Sequence, residues 1–157
     1  MESKNLAFKI SEFIFEKKGY DVKILDLTKV ASFADYFVVC SADSDTQVKA
    51  ISDEVERRLR EVGVFSWHRE GYESLSWVLL DYVDVIAHIF KKDARQYYNL
   101  EKLWGDANVI EVQDPAAVKS QNGSKQLKKP AKKTTRKKTA GKNTVAGKTK
   151  SSKSRKK

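Results

Sequence analysis

Apolar residues recur along this chain at two spacings, and the switch between them marks its elements. From residue 3 to residue 18, Leu6, Ile10, Phe13 and Ile14 fall on one face of a helix, with Ser3 placed to cap it and Gly19 to stop it. Residues 22–27 read as a strand, and Tyr36-Phe37-Val38-Val39-Cys40 as a central strand covered on both sides. Val48, Ile51, Val55, Leu59 and Val62 then form the stripe of a second helix, capped by Asp43 or Ser44 and closed by Gly63. Residues 66–76 are polar and read as a connection. Residues 77–81 and 85–90 read as the two strands of a hairpin, and residues 93–104 as a third helix carrying Ala94, Tyr97, Leu100 and Trp104.

This order predicts an α/β fold, a small sandwich on a mixed sheet. The strand–helix–strand unit from Tyr36 to Asp81 is expected to be a right-handed crossover with its two strands parallel. In the hairpin, Trp77, Leu79 and Asp81 point to one face and Val78 and Leu80 to the other. The second set suits a core. The first combines a Trp, a Leu and an acid, the mixture of an apolar anchor and an orienting charge found in interfaces. Coverage of Trp77 by the domain's own third helix is the alternative reading.

Charge separates the chain in two. Residues 1–114 hold all 21 acids against 15 of the 31 Lys and Arg, an excess of six acids, while residues 115–157 hold 16 basic residues and no acid. A folded acidic domain, 1–114, is expected to precede a disordered Lys-rich tail, 115–157, which has too few apolar residues to offset its ordering entropy. Within the tail, Lys128, Lys129, Lys132, Lys133, Arg136, Lys137 and Lys138 read as phosphate contacts, and so as an RNA-binding segment of low sequence specificity.

Catalysis finds little support in the pattern. Asp81 and Asp84 sit three apart across a bend, whereas paired metal ligands on one strand face need a spacing of two. Ser41-Ala42-Asp43-Ser44 lacks the glycines of a phosphate loop. His68 and His88 are isolated, Cys40 lies in an apolar run, and no zinc-ligand spacing exists, so no metal and no cofactor are expected. His88 reads as a packed strand residue with both ring nitrogens satisfied by neighbours. Lys9, Glu12 and Glu16 break the apolar stretches near the start, so neither a signal peptide nor a membrane span is expected, and the location expected is cytoplasmic.

Several short motifs, in order, resemble one family. They are residues 35–41 (Asp-Tyr-Phe-Val-Val-Cys-Ser), Gln47, Glu70-Gly71, residues 77–82 (Trp-Val-Leu-Leu-Asp-Tyr), Asp84-Val85, His88-Ile89-Phe90 and residues 97–104 (Tyr-Tyr-Asn-Leu-Glu-Lys-Leu-Trp). In these the chain resembles the Iojap family of ribosomal silencing factors. The resemblance implies a nucleotidyltransferase-like fold without transferase activity. It also implies docking on ribosomal protein fourteen of the large ribosomal subunit, which bars the small subunit from joining, and it is compatible with a homodimer. The positions it implies for docking are Trp77, Leu79, Asp81, Tyr82 and Asp84, with Glu70 and Gly71 contributing. The alternatives are a metal-dependent nucleotidyltransferase and a tail-driven, non-specific RNA binder.

This chain departs from the family pattern at Ala42 and Val83, each in place of a usual Gly, and at Thr46 in place of a usual Arg. A β-branched side chain resists φ > 0, so Val83 predicts a turn of another geometry and leaves the placement of Asp84 open.

Overall fold

The computed structural model describes residues 1–122, with side chains described to Val118. Its elements run α1 (Ser3–Glu16), β1 (Tyr20–Asp26), β2 (Tyr36–Ala42), α2 (Asp45–Glu61), β3 (His68–Glu70), β4 (Trp77–Asp81), β5 (Val85–Lys91), α3 (Lys92–Tyr98), α4 (Leu100–Leu103), β6 (Asn108–Glu111) and α5 (Pro115–Asn122). The six strands form one mixed sheet in the order β3-β4-β5-β2-β1-β6. β2 lies inside it, and all seven of its residues are buried.

The parallel pair is β2 with β5, not β2 with β4; every other pairing is antiparallel. The expectation of a parallel relation between the strands at Tyr36 and Trp77 is therefore overturned. The cause is β3, a three-residue edge strand inside the segment read as a connection. Each added antiparallel strand reverses the chain, so β3 and β4 form a hairpin and β5 completes the crossover beside β2.

Helix ends follow local chemistry. Ser44 caps α2, its hydroxyl accepting from the Gln47 N–H at 3.2 Å. At the other end Gly63 takes φ 79°, its N–H donating to Arg60 and that of Val64 to Leu59, which satisfies two terminal carbonyls. Val62 caps this end and is exposed, so the buried stripe stops at Leu59. α1 closes by the same motif with Lys18, rather than a glycine, in the left-handed region at φ 61°. Ser3 does not cap α1; it is the first helical residue, and its hydroxyl donates to the Asp35 carboxylate at 2.8 Å.

The third predicted helix is two short ones. Asn99 adopts φ 42°, which ends α3 and starts α4 and leaves Tyr97 82% exposed. Asp114 accepts from the Ala116 N–H at 2.8 Å and so caps α5, where composition alone predicts no regular element.

The sheet divides the core. On one face Val38, Cys40, Val78, Leu80, Ala87 and Ile89 meet the buried stripes of α1 and α2. On the other, Leu25, Phe37, Val39 and Phe90 meet Leu100 and Ala107, with Trp77, Ile86 and Trp104 packed around them. This second cover is much shorter, and it does not reach across the whole sheet.

Candidate functional site: the half-open sheet face

Register places the side chains of this second face in rows. Glu70 lies opposite Leu79, Leu79 opposite His88, and His88 opposite Val39; in the next row His68, Asp81, Ile86 and Phe37 follow one another. Trp77 lies opposite Phe90. Residues opposite one another share a face, so the strand reading of Trp77, Leu79 and Asp81 against buried Val78 and Leu80 holds in three dimensions. Trp77, Leu79, Asp81 and Ile86 are half-buried, while His68 and Glu70 are exposed at the sheet edge.

Trp77 is held rather than loose. Its ring stacks on Phe90 with centroids 4.8 Å apart, Tyr98 of α3 lies 4.7 Å away on it, and its indole N–H donates to His88 Nδ1 at 3.2 Å. Partial coverage by the third helical segment is thus real, through Tyr98. His88 is buried, and burial holds its imidazole down to about 3, so it is neutral near pH 7. Because Nδ1 accepts from Trp77, the ring proton sits on Nε2, which finds no hydrogen-bond partner among the described residues. The expectation that both nitrogens are satisfied is met at one of them. The Phe37 ring lies edge-on at 4.6 Å.

Asp81 organises the turn. Its carboxylate accepts from the Val83 N–H at 2.8 Å, and its carbonyl accepts from the Trp67 N–H at 2.7 Å. Val83 adopts φ 72°, and the Asp84 N–H donates back to the Tyr82 carbonyl at 3.0 Å. This is a tight γ-turn of the strained kind. The expectation that Val83 would avoid positive φ is overturned; the Asp81 carboxylate and the flanking strands impose it. Asp84 is fixed by its backbone, its carbonyl accepting from the N–H groups of Asp35 at 2.8 Å and Tyr36 at 3.1 Å, and its side chain is exposed.

Two of the expected contact residues have a structural part in the fold. Tyr82 is buried on the opposite face with Val85 and Leu80, and burial raises its phenol. Gly71 has φ 75°, and a Cβ there would come 1.9 Å from the Trp77 carbonyl oxygen, so it permits a close backbone crossing. Glu70, Leu79, Asp81 and Trp77 do share one face; Tyr82 does not join them. Ile86, Tyr98 and Trp67 border this surface, with buried His88 beneath it; strand pairing brings Ile86 to it and ring contacts bring Tyr98 and Trp67.

The 41–47 loop is occupied by internal contacts. Arg95, buried, donates to the Ser41 hydroxyl at 3.1 Å. Gln47 accepts from the Asp43 N–H at 2.8 Å and donates to the carbonyls of Lys18 at 2.8 Å and Lys17 at 3.3 Å. Cys40 is fully buried, its thiol pushed up to about 12 by desolvation. Among the described residues no group of three His, Cys, Asp or Glu is arranged to hold a metal ion, and no helix is long and apolar enough to cross a membrane. The tail residues Lys128, Lys129, Lys132, Lys133, Arg136, Lys137 and Lys138 lie outside the described residues.

The class this fold and surface define is a small mixed α/β domain with one helix-covered sheet face and one half-open face. By sequence, the chain belongs to the family described as ribosomal silencing factor during starvation, whose model matches residues 1–143. It is 43% identical over 97 residues to the ribosomal silencing factor RsfS of Bacillus subtilis, covering 62% of this chain and 82% of that one. It is also 32% identical over 114 residues to the chloroplastic protein Iojap of Zea mays, covering 71% of this chain and 48% of that one. A crystal structure of a Chromobacterium violaceum protein matches with a TM-score of 0.65 at 38% identity, over 67% of this chain and 88% of that chain. The family is one of ribosomal silencing factors and is not a known enzyme family.

Proposed function

We propose that this protein binds the large ribosomal subunit in the cytoplasm, through ribosomal protein fourteen, and bars the small subunit from joining. The observation that carries the reading is the half-open face itself: a clamped Trp77, a half-buried Leu79 and a carboxylate at Asp81, on one face of one strand. An apolar patch with an orienting charge suits a protein partner, and the acid excess of residues 1–114 suits a basic one. Residues 115–157 would add salt-sensitive contacts to ribosomal RNA, raising effective concentration as a second tethered site. Two copies joined through the same face would be a resting form that competes with docking.

The test is co-sedimentation of the full chain with purified large subunits, using Leu79→Ala and Asp81→Asn. The first removes an apolar contact that makes no hydrogen bond. The second removes the charge yet keeps an oxygen for the Val83 N–H. Binding is expected to fall about tenfold or more for each, with subunit joining restored in parallel. If both variants co-sediment like the wild type, the face is not the docking surface.

A further inference from the structure

Asp81 is bonded on both sides to residues whose side chains stand in solvent. Its carbonyl receives the Trp67 N–H and its carboxylate the Val83 N–H, at 2.7 and 2.8 Å. The Trp67 side chain is packed edge-on against His68, with ring centroids 5.0 Å apart, and His68 is the cross-strand neighbour of Asp81. Trp67 nevertheless remains 70% exposed, and Val83 54% exposed. Neither exposure helps the domain by itself. Val83 also holds a positive φ that a β-branched residue adopts only under constraint. An exposed indole packed on His68, and a strained, exposed valine whose N–H is held by the Asp81 carboxylate, stand at the two ends of Asp81's backbone and carboxylate bonds and suit an interface anchor.

We infer that the docking surface continues past Asp81 onto Trp67 and Val83, so that the partner closes over the carboxylate from both sides. This rests on the reading of the half-open face given above. The occupant is the same basic protein of the large subunit. The patch is continuous with that face through Asp81 and His68, and its turn carries a second acid, Asp84, which complements a basic partner. Val83 then has a function-based reason to stand where a glycine would relax the turn: it supplies an apolar contact at the edge of the charge.

Trp67→Ser and Val83→Asn in the full chain test the inference, with affinity for purified large subunits measured by sedimentation and stability by urea unfolding. Asn tolerates positive φ, so Val83→Asn is expected to raise the unfolding midpoint while weakening binding about tenfold. Trp67→Ser is expected to leave the midpoint unchanged and to weaken binding by a similar factor. Wild-type binding by both, while Leu79→Ala and Asp81→Asn lose it, would end the surface at Asp81 and overturn this inference alone. Wild-type binding by all four would remove the underlying reading, and this inference with it. Conversion of a dimer to a monomer by Trp67→Ser, with subunit binding unchanged, would assign the patch to a second copy of the chain and overturn it too.

Discussion

The indole N–H of Trp77 donates to Nδ1 of His88 at 3.2 Å, diagonally across β4 and β5. A buried imidazole thus orients the most prominent aromatic of the half-open face. That bond needs neutral His88, because a protonated ring carries a hydrogen on both nitrogens and cannot accept.

Acid should therefore weaken the fold through His88 before carboxylates matter. Its imidazole sits at about 3 in the folded chain against an ordinary value of 6.5. The unfolded chain takes up the proton first, so stability is complete above about pH 6.5 and falls as pH drops toward 3, by at most about 1.4 kcal/mol per pH unit. His88→Gln, which keeps an acceptor for Trp77, should flatten this slope. Urea unfolding at pH 7.5, 6 and 5 checks it; parallel curves for wild type and variant would show that His88 does not carry the dependence.

Arg95 should be the costliest charge in the fold to remove. Its buried guanidinium donates to Ser41, to the Asp21 carbonyl at 3.1 Å and to the Glu101 carboxylate, and it lies 3.3 Å from the Asp21 carboxylate. Together these join α3 and α4 to β1 and β2. Arg95→Met leaves Asp21 and Glu101 only Lys23 as a cation among the described residues, at 3.6 and 3.9 Å, and leaves the Ser41 hydroxyl and Asp21 carbonyl without this donor; it is expected to destabilise by about 3 kcal/mol. Arg95→Lys should recover little of this, since one ammonium cannot replace the fork. Equilibrium denaturation measures both.

Gln47 matches the family motif but works here as an internal tie between the α2 entry and the end of α1. Gln47→Ala is expected to cost about 1 kcal/mol or less, since the exposed Asp43 N–H and Lys18 carbonyl it releases turn to water. Affinity for large subunits should be unchanged once the comparison is made under folding conditions. A binding loss without a stability loss would return the 41–47 loop to the docking surface.

Composition and periodicity alone determined the mixed α/β class, the buried run of β2, an α2 cap at Asp43 or Ser44, of which the structure uses Ser44, and the opposite faces of Trp77-Leu79-Asp81 and Val78-Leu80. Each is a local pattern, written within a few residues by the two- or four-residue spacing of side chains. β3 and β6 left no such trace: they are edge strands of three and four residues, defined by their pairing with β4 and β1. Missing β3 reversed the expected direction of β4. Asn99 split a continuous helical stripe by a single left-handed residue, and Val83 took the one conformation its side chain disfavours because Asp81 and the closing strands demand it. Tyr82 and Gln47 match a functional motif, yet their side chains are spent on packing and internal hydrogen bonds. Which residues of a motif face outward is a property of register and coverage, and those exist only once the sheet has assembled.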